Sequence, residues 1–133
     1  MGTERTKGAV FEAIAVMGKA LASPRRLELL ELLAQAPSTV DELARGSGQS
    51  IANTSQHLQS LHGAGLVERE REGTNVRYAL AGEPALKVWL TLPMVALTWT
   101  GPEQPPPPTQ APLRIPTSIP KWYAAPTIRP VRV

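Results

Sequence analysis

The sequence predicts an α+β domain, mainly helical, closed by one two-stranded β-hairpin and followed by a proline-rich tail. Three observations carry this. From about Val10 to Leu61 the apolar residues recur at three-to-four spacing, the period of a helix face. From about Leu66 to Leu80 the period falls to two, that of a strand. From Pro93 onward there is no period, and eleven of the 14 prolines lie there. The earlier prolines, Pro24, Pro37 and Pro84, stand where a helix should start or a turn should form.

Val10, Ile14, Met17 and Leu21 mark a first helix. Arg5 and Lys7 ahead of it, with Ala20-Leu21-Ala22, imitate a signal peptide, but Glu12, Gly18 and Lys19 interrupt the apolar run. No stretch approaches the roughly 18 apolar residues that span a bilayer, so a cytoplasmic protein is expected. Ser23 caps and Pro24 opens a second helix over about Pro24–Gln35, with Leu27, Leu30 and Leu33 or Leu32 on its stripe. Ala36-Pro37-Ser38 breaks it. Thr39 with Glu42 three residues on is a capping box, and the short helix it opens should end at Gly46 or Gly48.

Ser50 caps the next helix, in which Ile51, Thr54, Leu58 and Leu61 share the core-facing side, and which should stop at Gly63 or Gly65. Leu66 to Arg71 pairs with Val76 to Leu80 through Glu72-Gly73-Thr74-Asn75, where Gly73 or Asn75 can take a positive φ. Pro84 starts a last helix with Leu86, Trp89 and Leu90 on its apolar side. Pro93 lacks an amide and crowds the carbonyl of Trp89, so this helix should end or kink there. A domain is therefore expected over residues 1–92, and a disordered tail with polyproline character over 93–133.

Helix, short capped helix, glycine turn, capped helix and hairpin, in that order, make a winged helix-turn-helix with the hairpin as wing. The residues also carry a resemblance. Ala22-Ser23-Pro24-Arg25-Arg26-Leu27, Thr39-Val40-Asp41-Glu42-Leu43-Ala44, Ser55-Gln56-His57-Leu58, Ala64-Gly65-Leu66-Val67 and Arg71-Glu72-Gly73 through Tyr78-Ala79-Leu80 resemble, in order and spacing, the ArsR family of bacterial repressors. The resemblance covers about Met17 to Leu90. Asn53-Thr54-Ser55-Gln56-His57-Leu58-Gln59 looks closest to the branch whose members often carry a rhodanese domain after the DNA-binding part. That domain is absent from this sequence, as is a cysteine for its chemistry, so no sulfur chemistry carries over.

The resemblance implies a regulator of transcription that binds double-stranded DNA as a homodimer, with a repressor expected. It also implies a dimer interface made by the first and last helices. Phe11, Ile14 and Met17 could serve it from the first helix, and Leu86, Trp89 and Leu90 from the last. With the apolar pattern ending at Pro93, a weak, micromolar dimer is expected. A second reading stays open, a winged helix that serves as a protein-interaction module without base recognition. Through residue 92 cations and anions balance, and the formal net charge of +3 comes from Arg114, Lys121, Arg129 and Arg132 against Glu103 in the tail. The net charge is thus no argument for DNA.

Placed residues must make that argument. With Leu58 facing the core, steps of about 100° put Ala52, Asn53, Gln56 and Ser60 on the far side of their helix. Asn and Gln can bond adenine bidentately, and a small Ala permits approach to a thymine methyl. Ala52, Asn53 and Gln56 lie in the N-terminal half, which a recognition helix presents to base edges. Ser50 at the helix start and Ser55 and His57 on its flank complete the helical candidates. In the wing, Arg71, Asn75 and Arg77 near the turn are the candidates for phosphate or minor-groove contact. An ordinary solvated face accounts for the same residue types, above all in the alternating run Glu68-Arg69-Glu70-Arg71-Glu72.

Other chemistry finds little footing. The sequence has no cysteine, which excludes thiolate metal ligands, disulfides and a cysteine nucleophile. The family's metal motifs have no counterpart, since Ser38-Thr39-Val40-Asp41 stands where their cysteines would stand. His57 and His62 point about 140° apart on a helix, too far round to chelate together. No glycine-rich phosphate loop and no placed Ser-His-acid set is present, and a capping box accounts for Glu42 beside Asp41. Neither an enzyme activity, nor a cofactor, nor a metal is expected.

Overall fold

The computed structural model describes residues 6–99 and Lys121. Its elements are α1 (Lys7–Leu21), α2 (Pro24–Gln35), β1 (Ser38–Thr39), α3 (Val40–Ser47), α4 (Ile51–Gly63), β2 (Val67–Glu72), β3 (Asn75–Leu80) and α5 (Gly82–Trp99). Of the tail expected to be disordered over 93–133, residues 93–99 form the end of α5 instead; the rest, Lys121 apart, lies outside the described residues.

Each early helix starts where a hydroxyl can satisfy an orphan amide. Thr6 Oγ1 accepts from the Ala9 N–H at 3.2 Å, Ser23 Oγ from Arg26 at 3.4 Å, Thr39 Oγ1 from Glu42 at 3.3 Å and Ser50 Oγ from Asn53 at 3.1 Å. The side chain of Arg26 ties α1 to α2: its Nε donates to the carbonyl of Ala20 and its Nη2 to that of Lys19 at 3.2 Å. A cation there also complements the C-terminal end of the α1 dipole.

The turn between α3 and α4 is Gly48-Gln49-Ser50. Gly48 takes the left-handed conformation, φ 66°, and its N–H donates back to Arg45 at 3.4 Å. A Cβ built on Gly48 would meet nothing within 4 Å. Gly48→Ala is therefore expected to be destabilising through the backbone alone, by about 1–2 kcal/mol. Urea unfolding checks it: an unchanged midpoint would show that the turn relaxes.

The core lies between α2, α4 and the sheet. Leu29 and Leu33 of α2, Leu43 of α3, Leu58 and Leu61 of α4, and Leu86 of α5 are fully buried, joined by Val67, Tyr78 and Leu80 from the hairpin and by Trp89. Thr54 is buried with them, its hydroxyl donating to the Ser50 carbonyl at 2.8 Å.

Four details depart from the sequence reading. Ile51 has the azimuth of Leu58 but is 57% exposed. It is the first residue of α4, about 10 Å along the axis from Leu58, and the core does not reach that far. Ser38, read as part of a break, and Thr39, read only as a helix cap, also form β1, a third strand paired antiparallel with β3 in the order β1-β3-β2. The hairpin turn is shorter than the expected Glu72-Gly73-Thr74-Asn75, since Glu72 ends β2 and pairs with Asn75, which opens β3; of the two residues expected able to take a positive φ, Gly73 does so, at 61°. Finally, α5 runs through Pro93 to Trp99, so the boundary expected at residue 92 falls inside a helix. Proline removes one amide, but the residues after it keep their own acceptors, and the helix resumes.

Candidate nucleic-acid interface

The α3–turn–α4 unit presents the outer face of α4 to solvent. Ala52, Asn53, Gln56 and Ser60 are all exposed, as the period required, while Ser55 and His57 are half-buried on the flanks. The side-chain amides of Asn53 and Gln56 make no hydrogen bond to a described residue, so their donors and acceptors stay available. Apart from His57 and His62, α4 carries no ionisable side chain. Ser50 is exposed and its Oγ serves as the helix cap. Ile51, assigned by its spacing to the core, instead edges an open crevice with Asp41, Ala44, Arg45 and Gln49. Its misplacement had no signal in the period; only its position at the helix end hinted at exposure.

The wing is built by register. Val67 stands opposite Leu80, Arg69 opposite Tyr78 and Arg71 opposite Val76; Glu68 faces Ala79, Glu70 faces Arg77 and Glu72 faces Asn75. Directly opposed residues share a face of the sheet. One face therefore carries Val67, Tyr78 and Leu80 into the core and continues outward as Arg69 and Arg71. The other carries Glu68, Glu70, Glu72, Asn75 and Arg77.

The candidates in the wing separate on this basis. Arg71 and Asn75 are exposed. Arg77 is half-buried and engaged: its Nε binds Glu72 Oε2 at 3.2 Å and its Nη1 donates to the Pro37 carbonyl at 3.1 Å. Thr39 pairs with Arg77 across β1 and β3, so this side chain fastens the hairpin to the α2–α3 junction. Among the described residues neither Arg69 nor Arg71 has an ion pair or a side-chain hydrogen bond. Arg69 shares the side of β2 with Arg71, as the alternation of the strand implies, but lies further from the turn and is not among the expected wing contacts.

Among the described residues no three His, Cys, Asp or Glu side chains gather to hold a metal ion. None of the described helices is long and apolar enough to cross a membrane.

Comparison with known proteins places these features in a group. Residues 23–69 match the family model described as bacterial regulatory protein, arsR family. The HTH-type transcriptional regulator Rv0324 of Mycobacterium tuberculosis is 40% identical over 95 residues, 71% of this chain and 42% of that protein. The chain thus spans less than half the length of that relative. The HTH-type transcriptional regulator YgaV of Escherichia coli is 34% identical over 82 residues, 61% of this chain and 83% of that protein. A solution structure from Mycobacterium bovis is described as a homodimeric winged helix-turn-helix DNA-binding domain, a possible ArsR-family regulator. It matches with a TM-score of 0.66 at 40% identity, covering 72% of this chain and 89% of that one.

Proposed function

Because this chain belongs to the ArsR family of bacterial regulatory proteins, we propose that it is a cytoplasmic transcription regulator, a repressor, that binds duplex DNA sequence-specifically as a homodimer. The observation that carries the proposal is the solvent face of α4. Two unengaged amide side chains, Asn53 and Gln56, stand beside the small Ala52 on a helix fixed at both ends by Ser50 and the Gly65 turn. Such a face can enter the major groove and present bidentate partners to adenine. We assign it no catalytic step, no cofactor and no metal.

The dimer is read from apolar side chains that the fold leaves uncovered. On α1 these are Val10, Phe11, Ile14 and Val16; on α5 they are Val88, Leu92, Met94, Val95 and Leu97. The residues expected from the sequence differ in part. Leu86 and Trp89 are buried in the protomer's own core, and Met17 and Leu90 pack against it, while Phe11 and Ile14 remain exposed. Three of these five α5 side chains, Met94, Val95 and Leu97, lie beyond Pro93, so the helix past the proline belongs to the proposed interface.

Selection from a random duplex pool, followed by a gel-shift titration of the selected site, tests the reading. Gln56→Ala should cost about 1–3 kcal/mol at one base pair and relax the preference there. Equal affinity of the wild-type chain for selected and scrambled duplexes would refute sequence-specific binding and leave the protein-interaction module standing.

A further inference from the structure

We propose that the crevice between the ends of α1 and α4 seats a backbone phosphate of the bound duplex, with Lys19 as the contacting cation and Arg26 as a fixed charge behind it. The proposal rests on the DNA-binding reading and adds to it a contact from α1, outside the helix-turn-helix and the wing.

Three observations converge. The first is position. Lys19 of α1, Arg26 of α2, and Ser60 and Gly63 of α4 line one crevice of about 220 Å³. Steps of about 100° place Ser60 on the same side of α4 as Asn53 and Gln56, and all three are exposed. From Asn53 to Ser60 is about 10.5 Å along the helix axis, close to the roughly 12 Å width of the major groove. A helix whose N-terminal half lies at the base edges therefore carries Ser60 out towards the rim, where a sugar-phosphate strand runs. Lys19 stands at that rim.

The second observation is charge. The carbonyl ends of α1 and α4 both border the crevice. Each carries about half a negative charge, which by itself repels a phosphate. Lys19 and Arg26 bring two full positive charges, and no carboxylate is among the residues lining the crevice. The balance there is cationic, although cations and anions cancel through residue 92 and α4 carries no ionisable side chain but its two histidines.

The third is availability. Arg26 is half-buried, with Nε and Nη2 donating to the carbonyls of Ala20 and Lys19, so its charge is held in place. Lys19 is exposed, and its ammonium has no ion pair or hydrogen bond among the described residues. A phosphate therefore displaces no partner from Lys19; binding releases DNA counterions and part of the hydration of the ammonium. The flexible four-carbon stem lets that ammonium follow the strand.

The test is the salt dependence of binding by the full chain to a duplex that the wild type binds. Each lost phosphate contact lowers the slope of log K against log salt by about 0.9, and a dimer loses two per substitution. Lys19→Gln should flatten the slope by nearly two units, with base preference, thermal midpoint and dimer dissociation constant unchanged. Lys19→Arg should keep the slope. Lys87→Gln, which removes a cation paired with Glu83 on α5, should also keep it. An unchanged slope with Lys19→Gln, an equal fall with Lys87→Gln, or a fall that tracks a weaker dimer overturns the assignment while leaving DNA binding intact. Inorganic phosphate that releases the duplex more than chloride does at equal ionic strength, from the wild type and not from Lys19→Gln, would give the crevice to a small anion instead. Absence of wild-type binding to any duplex at low salt removes the DNA reading itself.

Discussion

Leu58→Ala is expected to lower the unfolding free energy by about 2–5 kcal/mol, a large fraction of the roughly 5–15 kcal/mol typical of a whole domain. Leu58 is fully buried at the middle of α4, in one cluster with Leu29, Leu33, Leu43 and Leu61. Its removal loses the transfer free energy of the isobutyl group and leaves a void that four neighbouring leucines, each on a helix pinned by its own cap or turn, cannot easily fill. The effect should reach function, because α4 owes its place to that contact and carries Asn53 and Gln56 on its other side. Ile51→Ala provides the internal control. It has the same azimuth and a similar volume of side chain to lose, but Ile51 is 57% exposed and should cost well under half as much. Urea denaturation of both variants decides it. Comparable losses would mean that the start of α4 is covered after all.

The second large effect is expected on association. Ile14→Glu should raise the dimer dissociation constant by at least about 100-fold, which corresponds to some 2.8 kcal/mol. Ile14 is 56% exposed in the protomer, between Val10, Phe11 and Val16, so an isolated domain should tolerate the glutamate with little change in stability. In an apolar interface the carboxylate must be desolvated without a partner, or the helices must part. Leu97→Glu on α5 should act the same way, and its effect would confirm that the helix beyond Pro93 takes part. Sedimentation equilibrium reads the constants. DNA affinity should fall with them, since a winged helix reads two half-sites only when two copies are held at a fixed distance. A wild-type chain that is monomeric at micromolar concentration, or a dimer indifferent to both substitutions, would place the interface elsewhere.

What the sequence determined by itself was whatever depends on neighbours within a turn or two. The caps at Ser23, Thr39 and Ser50, the bounds of α2 and the alternation of the hairpin are set by local hydrogen bonding and backbone sterics, and those travel with the residue type; the sequence narrowed the left-handed turn residues to Gly46 or Gly48 and Gly73 or Asn75, of which Gly48 and Gly73 take that conformation. The exposure of Ala52, Asn53 and Gln56 followed too, because a helix with one buried face must turn its opposite face to solvent. Tertiary structure decided everything that depends on where another element ends. A period gives an azimuth but no axial limit to the core, and so Leu58 is covered and Ile51 is not. Two residues are too few to show a strand's alternation, and Ser38-Thr39 became β1 only because β3 offered them a free edge. Arg71 and Arg77 are alike as arginines near the turn, but the register puts them on opposite faces of the hairpin, leaving Arg71 exposed and turning Arg77 onto Glu72 and the Pro37 carbonyl, the latter forty residues away in the chain. Such choices rest on contacts between distant residues, whose partners exist only once the chain has closed on itself.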